Sequence, residues 1–170
     1  MKKITVVLFI YFVSVAASAQ SVVVSFLDKY GEDDNIQVVS IGKKMFSKMS
    51  ELSLGNSELQ EAIKGLDNIQ IITSEDSVLN DEYYDSACAI LSKKEDFIEL
   101  YSMENEGQQM VVKMKESKGI VTELVMLSCS QKHFNMTFIT GSINLEMLAK
   151  YSSKVDFKEL ERLNYIENKN

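Results

Sequence analysis

The chain has 170 residues, with no proline, no tryptophan, one histidine and a formal net charge of −7. That acidic balance opposes binding to nucleic acid or to an anionic lipid surface, both of which want clustered Lys/Arg. A hydrophobic share of 45% excludes a disordered chain, and the single imidazole leaves few side chains suited to catalysis.

The first nineteen residues read as a secretory signal peptide. Lys2 and Lys3 form a basic start, residues 4–13 are apolar except for Thr5, and Ala17-Ser18-Ala19 supplies the small-x-small cleavage pattern. Cleavage is expected between Ala19 and Gln20. The apolar run falls short of the roughly 20 residues of a membrane span, and an uncleaved N-terminal anchor is the competing reading. The first cysteine is Cys88, so the lipid-anchor pattern is missing at the cleavage site. The expectation is an exported protein, periplasmic or secreted, not a lipoprotein, and without a membrane span once cut. Residues 20–170 then form one domain, its charge moving to −9 as the 18 basic residues fall to 16 against 25 acidic ones.

Apolar spacing predicts a helix over 22–30, which Gly31-Glu32-Asp33-Asp34-Asn35 breaks. A strand is predicted over 37–41. Met45, Phe46, Met49 and Leu52 mark a helix over 43–54, and a further helix over 58–64, capped by Asn56 or Ser57, ends at Gly65. Residues 69–73 read as a β-branched strand, and an acidic stretch leads to a helix over 81–93. Four strand-like runs follow, over 97–103, 110–115, 121–129 and 134–140. Asn105-Glu106-Gly107 and Ser117-Lys118-Gly119 supply hairpin turns with glycine where φ must be positive. In the second run Met110, Val112 and Met114 alternate with Val111, Lys113 and Lys115, which predicts one dry and one wet face. Gly141-Ser142 is expected to turn the chain into two short C-terminal helices over 145–151 and 157–164, capped by Asn144 and Asp156. The polar tail over 167–170 is expected to fray. Helices early and late around hairpin-linked strands predict an α+β fold. Its mainly antiparallel sheet would have about five or six strands, covered on one face by helices.

Several stretches carry a resemblance: Val38-Val39-Ser40-Ile41-Gly42-Lys43-Lys44-Met45-Phe46-Ser47, Leu66-Asp67-Asn68-Ile69-Gln70-Ile71-Ile72-Thr73, and Asp96-Phe97-Ile98-Glu99-Leu100. Gly119-Ile120-Val121-Thr122-Glu123-Leu124-Val125-Met126 and Gly141-Ser142-Ile143-Asn144-Leu145 extend it. Together they resemble a Bacteroidetes family of exported proteins known as domain of unknown function 4252. The resemblance implies export, often as lipoproteins, with some members encoded beside extracytoplasmic-function sigma factors, hence an envelope-signalling setting. It implies no activity and transfers no site residue.

No motif demands catalysis, a metal or a cofactor. His133 has no companion ligands at zinc spacing, and no G-x-S-x-G elbow is present. The acidic runs Glu32-Asp33-Asp34-Asn35 and Glu75-Asp76 lack the spacing of a calcium loop. Cys88 and Cys129 leave two readings open, a disulfide in an oxidising compartment or two buried free thiols. Asp76-Ser77-Val78 and Asp85-Ser86-Ala87 match the short pattern that resembles periplasmic O-glycosylation sites in Bacteroidetes, at Ser77 and Ser86.

The leading expectation is a non-enzymatic interaction module that binds another envelope or secreted protein, with strand addition at an open sheet edge as its mode. The alternative is a carrier of a small apolar ligand in a pocket lined by Met45, Met49, Met103, Met110, Met114, Met126, Met136 and Met147. An unrecognised enzyme would need Tyr83, Tyr84 and Tyr101, or acids, to converge in a cleft.

Overall fold

The computed structural model describes residues 21–52 and 57–146. Within them the chain order is α1 (Val22–Tyr30), β1 (Gln37–Gly42), α2 (Lys43–Leu52), α3 (Ser57–Lys64), β2 (Leu66–Ser74) and α4 (Asn80–Ser92). Then follow β3 (Ile98–Asn105), β4 (Gln108–Ser117), β5 (Ile120–Ser130) and β6 (Phe134–Ile143). The fold is α+β. All six strands join one antiparallel sheet in the order β1-β2-β6-β5-β4-β3. The expected C-terminal helices lie almost wholly outside the described residues, as do the signal segment and the tail.

Two hairpins build the right half of that sheet, and their turns follow from local chemistry. Glu106 and Gly107 between β3 and β4, and Lys118 and Gly119 between β4 and β5, all have positive φ. Two-residue turns of that kind match the twist of the flanking strands, and glycine accepts the conformation without strain. The left half instead needs a long-range pairing, β2 against β6, which brings residues about 70 apart in sequence into register.

Alternation along the strands splits the core in two. Ile72, Val125, Leu127, Phe134, Met136 and Phe138 face one way, beneath Val22, Val23, Phe26 and Tyr30 of α1 and Tyr83, Ala87 and Leu91 of α4. Ile69, Ile71, Leu124 and Ile139 face the other way, with Phe46 of α2 and Ile63 of α3. Neighbours such as Ile71 and Ile72 therefore serve opposite cores, as a period of two requires. The helices divide between both faces, rather than covering one alone.

This division corrects the expectation for β4. Val111, assigned to the wet face, is buried under α4, while Met110, Val112 and Met114 on the supposed dry face are only partly covered. Lys113 and Lys115 share Val111's face and carry their amines to Glu99 (3.8 Å), Asp96 (2.6 Å) and Glu123 (3.3 Å). Long aliphatic stems let lysine cover apolar surface and still reach an acid.

Gly141-Ser142 is a second correction, because β6 runs through it to Ile143. Gly141 has φ 131° and lies against Leu66, where the β2–β6 register shifts. Ser142 N–H donates to the Gly65 carbonyl at 2.7 Å. The glycine marks a close approach of two backbones within the sheet, not a turn.

Candidate interaction surface

The helices α1 and α4 are each capped at their entrance and joined to each other by a polar contact between Tyr30 and Glu82. Ser21 caps α1, its Oγ accepting from Val24 N–H at 3.1 Å. Asp76 caps the approach to α4, its Oδ1 accepting from Val78 N–H (2.8 Å) and Leu79 N–H (3.2 Å). The acidic stretch before α4 thus serves as a helix entrance, complementing the positive end of the helix. Lys29 Nζ donates to Tyr30 Oη at 2.6 Å, and Tyr30 O–H donates to Glu82 at 3.0 Å. Asn80, the first residue of α4, is buried, and neither atom of its amide has a hydrogen-bond partner. Such a group costs about 1–3 kcal/mol.

Asp33, read from sequence as part of a solvated loop, accepts from Asn35 N–H (2.9 Å) and from the Tyr83 hydroxyl (2.7 Å). The Asn35 amide first, and Tyr83 second, hold its carboxyl below the usual carboxylate range. A depressed folded-state value gives stability that is present above the unfolded value, about 3.9, and lost as pH falls through the lower one. Asp33→Asn is therefore expected to be less stable than the parent at neutral pH, with the gap closing in acid. Urea midpoints of the two proteins across that range check this. A gap that does not change with pH would remove the assignment.

The sheet has two open ends among the described residues, β1 and β3. The β1 edge is six residues long and exposes Val38. The β3 edge is longer, eight residues, and exposes Ile98 (56%), Leu100 (44%) and Tyr101 (49%). Natural edge strands are commonly blunted by lysine, proline, a bulge or a cover. β3 has no lysine and no proline. It does have a bulge, since Glu99 pairs with Lys113 and Tyr101 with Val112, leaving Leu100 without a partner on β4.

Between β3, β4 and α4 runs a groove of about 420 Å³, where Tyr84, Cys88, Leu91 and Ser92 of α4 face Glu99, Ser102 and Glu104 of β3. Lys113 and Glu99 meet across its floor. Ile98 and Tyr101 pair with Met114 and Val112 on the opposite face of the sheet. A larger cleft of about 640 Å³ lies near the chain's entry to β3, with Asp96, Lys115 and Glu123 among its walls.

The other candidate residues are dispersed. His133 sits exposed in the β5–β6 turn, its Nδ1 3.9 Å from Glu75. Tyr83 points into the core, Tyr84 into the groove, and Tyr101 to the far face of the edge strand. Met103 and Met110 line the groove, Met136 is fully buried, Met45 is exposed, and Met147 lies outside the described residues. Ser77 is exposed in the turn before α4, and Ser86 is half-buried within reach of Lys29 at 3.4 Å. Cys88 and Cys129 are free thiols on α4 and β5. Cys129 Sγ donates to Asp81 at 3.4 Å; Asp81 lies two turns, about 10 Å, along α4 from Cys88. Burial pushes the Cys129 thiol up to about 12, with Asp81 adding to it. Burial also raises Cys88, against an opposing hydrogen bond with Tyr84. Both shifts favour the protonated thiol, which lowers nucleophilicity. Among the described residues no His, Cys, Asp and Glu gather into a metal-binding group, and no helix is long and apolar enough to cross a membrane.

Compared with known families, residues 30–151 match the one described as domain of unknown function (DUF4252). The chain belongs to the DUF4252 family. The match covers all six strands of the DUF4252 sheet and leaves out nearly all of α1. No curated protein and no solved structure matches the chain.

Proposed function

We propose that this DUF4252 domain is an exported, non-enzymatic interaction module that binds an envelope or secreted protein by adding a partner strand to β3. The observation that carries the reading is the β3 edge, an eight-residue strand with exposed Ile98, Leu100 and Tyr101 and a single strand neighbour among the described residues. Strand addition draws affinity from main-chain hydrogen bonds and specificity from the side chains flanking the edge. Export and cleavage after Ala19 belong to the same reading.

The test is capture of a partner from envelope extract by tagged protein spanning residues 20–170, beside its Leu100→Pro variant. Leu100 has no pairing partner on β4 and sits at the bulge, where an edge strand tolerates proline, and proline there is a standard block to a further strand. One stoichiometric, salt-resistant partner is expected, retained by the parent and lost by the variant, with matching circular dichroism for the two proteins. A partner held equally by both, or a bound apolar metabolite in its place, would overturn the reading.

A further inference from the structure

We infer that the strand accepted by β3 alternates basic with apolar residues, its basic side chains lying on the α4 side and its apolar ones on the opposite face. The inference rests on strand addition at β3 and gives the partner its chemistry.

The first argument is the sorting of β3 itself. Glu99, Ser102 and Glu104 line the groove beneath α4, whereas Ile98 and Tyr101 share the other face with Met114 and Val112. Side chains directly opposite one another in an antiparallel pair lie about 4.5–5.5 Å apart on the same face. With the bulge at Leu100 taken up, an added strand therefore meets Glu99, Ser102 and Glu104 on one face and the apolar Ile98 and Tyr101 on the other.

The second argument is charge. From Glu95 to Val112 the chain carries Glu95, Asp96, Glu99, Glu104 and Glu106, and no lysine or arginine. Lys115 engages Asp96 at 2.6 Å, and Lys113 stands 3.8 Å from Glu99. Glu104 has no ion pair among the described residues. The edge thus has negative charge to offer after its own lysines are counted. The groove also suits a lysine or arginine stem, because Leu91 and Val111 form apolar wall below the acids.

The same charge argues against a second copy of this chain. Antiparallel pairing of two β3 edges would set the Glu99 and Glu104 carboxylates of both copies on one face. Like charges at cross-strand positions are destabilising.

The experiment uses protein spanning residues 20–170 and three labelled peptides of about ten residues, long enough for one strand. One alternates Lys with Val, one alternates Glu with Val, and one holds the Lys/Val composition in two blocks. Fluorescence anisotropy at about 0.15 M ionic strength limits loose charge attraction. The alternating Lys peptide is expected to bind at least about tenfold more tightly than either control. The double variant Glu99→Lys/Glu104→Lys is expected to invert the preference toward the Glu peptide. Both positions are exposed, so the variant keeps the core, and a retained cooperative thermal transition verifies that. Equal binding of the Glu or block peptide, or no binding by any of the three, overturns the inferred chemistry. The strand-addition reading is then still decided by the Leu100→Pro comparison. Tight binding of the alternating Lys peptide that survives Leu100→Pro would place the peptide off the β3 edge and overturn both.

Discussion

Phe134→Ala is expected to lower stability by about 3–5 kcal/mol, the usual cost of emptying a buried aromatic site. Phe134 opens β6, is fully buried, and stacks on Phe26 of α1 at 5.6 Å between ring centroids. Tyr83 of α4 lies 5.8 Å from it, and Tyr30 lies 5.0 Å from Tyr83. One ring thus joins two helices to the sheet, and neither helix can move to fill the hole without breaking its other contacts. Tyr83 is held by Asp33 and Tyr30 by Glu82. The measurement is urea unfolding followed by circular dichroism, with both proteins fitted to a common slope. A loss below about 1 kcal/mol would show that the aromatic cluster relaxes freely, contrary to its packing.

Gly141→Ala is expected to cost about 3 kcal/mol, more than any other glycine-to-alanine change in the sheet. Strain at φ 131° alone is worth about 1–3 kcal/mol. A Cβ there would also meet backbone, the Gly65 carbonyl oxygen, Asp67 N at 2.7 Å and Leu66 Cα at 2.8 Å. Backbone cannot rotate away as a side chain can, so β2 and β6 must separate where Ser142 N–H reaches Gly65. Gly119→Ala is the control. It has φ 78° in a hairpin turn but open space around the new methyl group, so it carries turn strain of about 1–2 kcal/mol and no collision. Unfolding midpoints that fall equally for the two variants would contradict the close approach of the two backbones.

Those two positions also show where sequence reading succeeds and where it stops. The β3–β4–β5 hairpins were legible because both cues are local, alternation of period two and a glycine where φ must be positive. Gly141 carried the same letter and was misread as a turn, because what makes it necessary is Gly65, far away in the chain. Val111 was misplaced for a related reason. Alternation identifies two faces but does not say which one a helix covers, and β4 has apolar residues on both. The order β1-β2-β6-β5-β4-β3 depends on the long-range pairing of β2 with β6, for which the sequence has no local signal. The identity of the open edges was hidden with it. Ser21 could have been found, since a serine directly before an apolar helical run is the ordinary capping pattern. The Tyr83–Asp33 bond could not, because nothing in either segment names its partner.

The family assignment places this sheet in a group without an established activity, so the chemistry has to come from the surface itself. Among the described residues no His, Cys, Asp and Glu gather into a metal-binding group, and burial raises both cysteine thiols. The most open feature of that surface is main chain, the outer amides and carbonyls of β3, flanked by carboxylates on one face and by Ile98 and Tyr101 on the other.

Residue-resolved amide hydrogen exchange of the free protein tests that claim most directly. Alternate amides of β3 point away from β4, so those amides are expected to exchange fast while β5 and β6, paired on both sides, stay protected. Protection throughout β3 as strong as that of β5 would mean the edge is already covered, and would contradict a docking role for it.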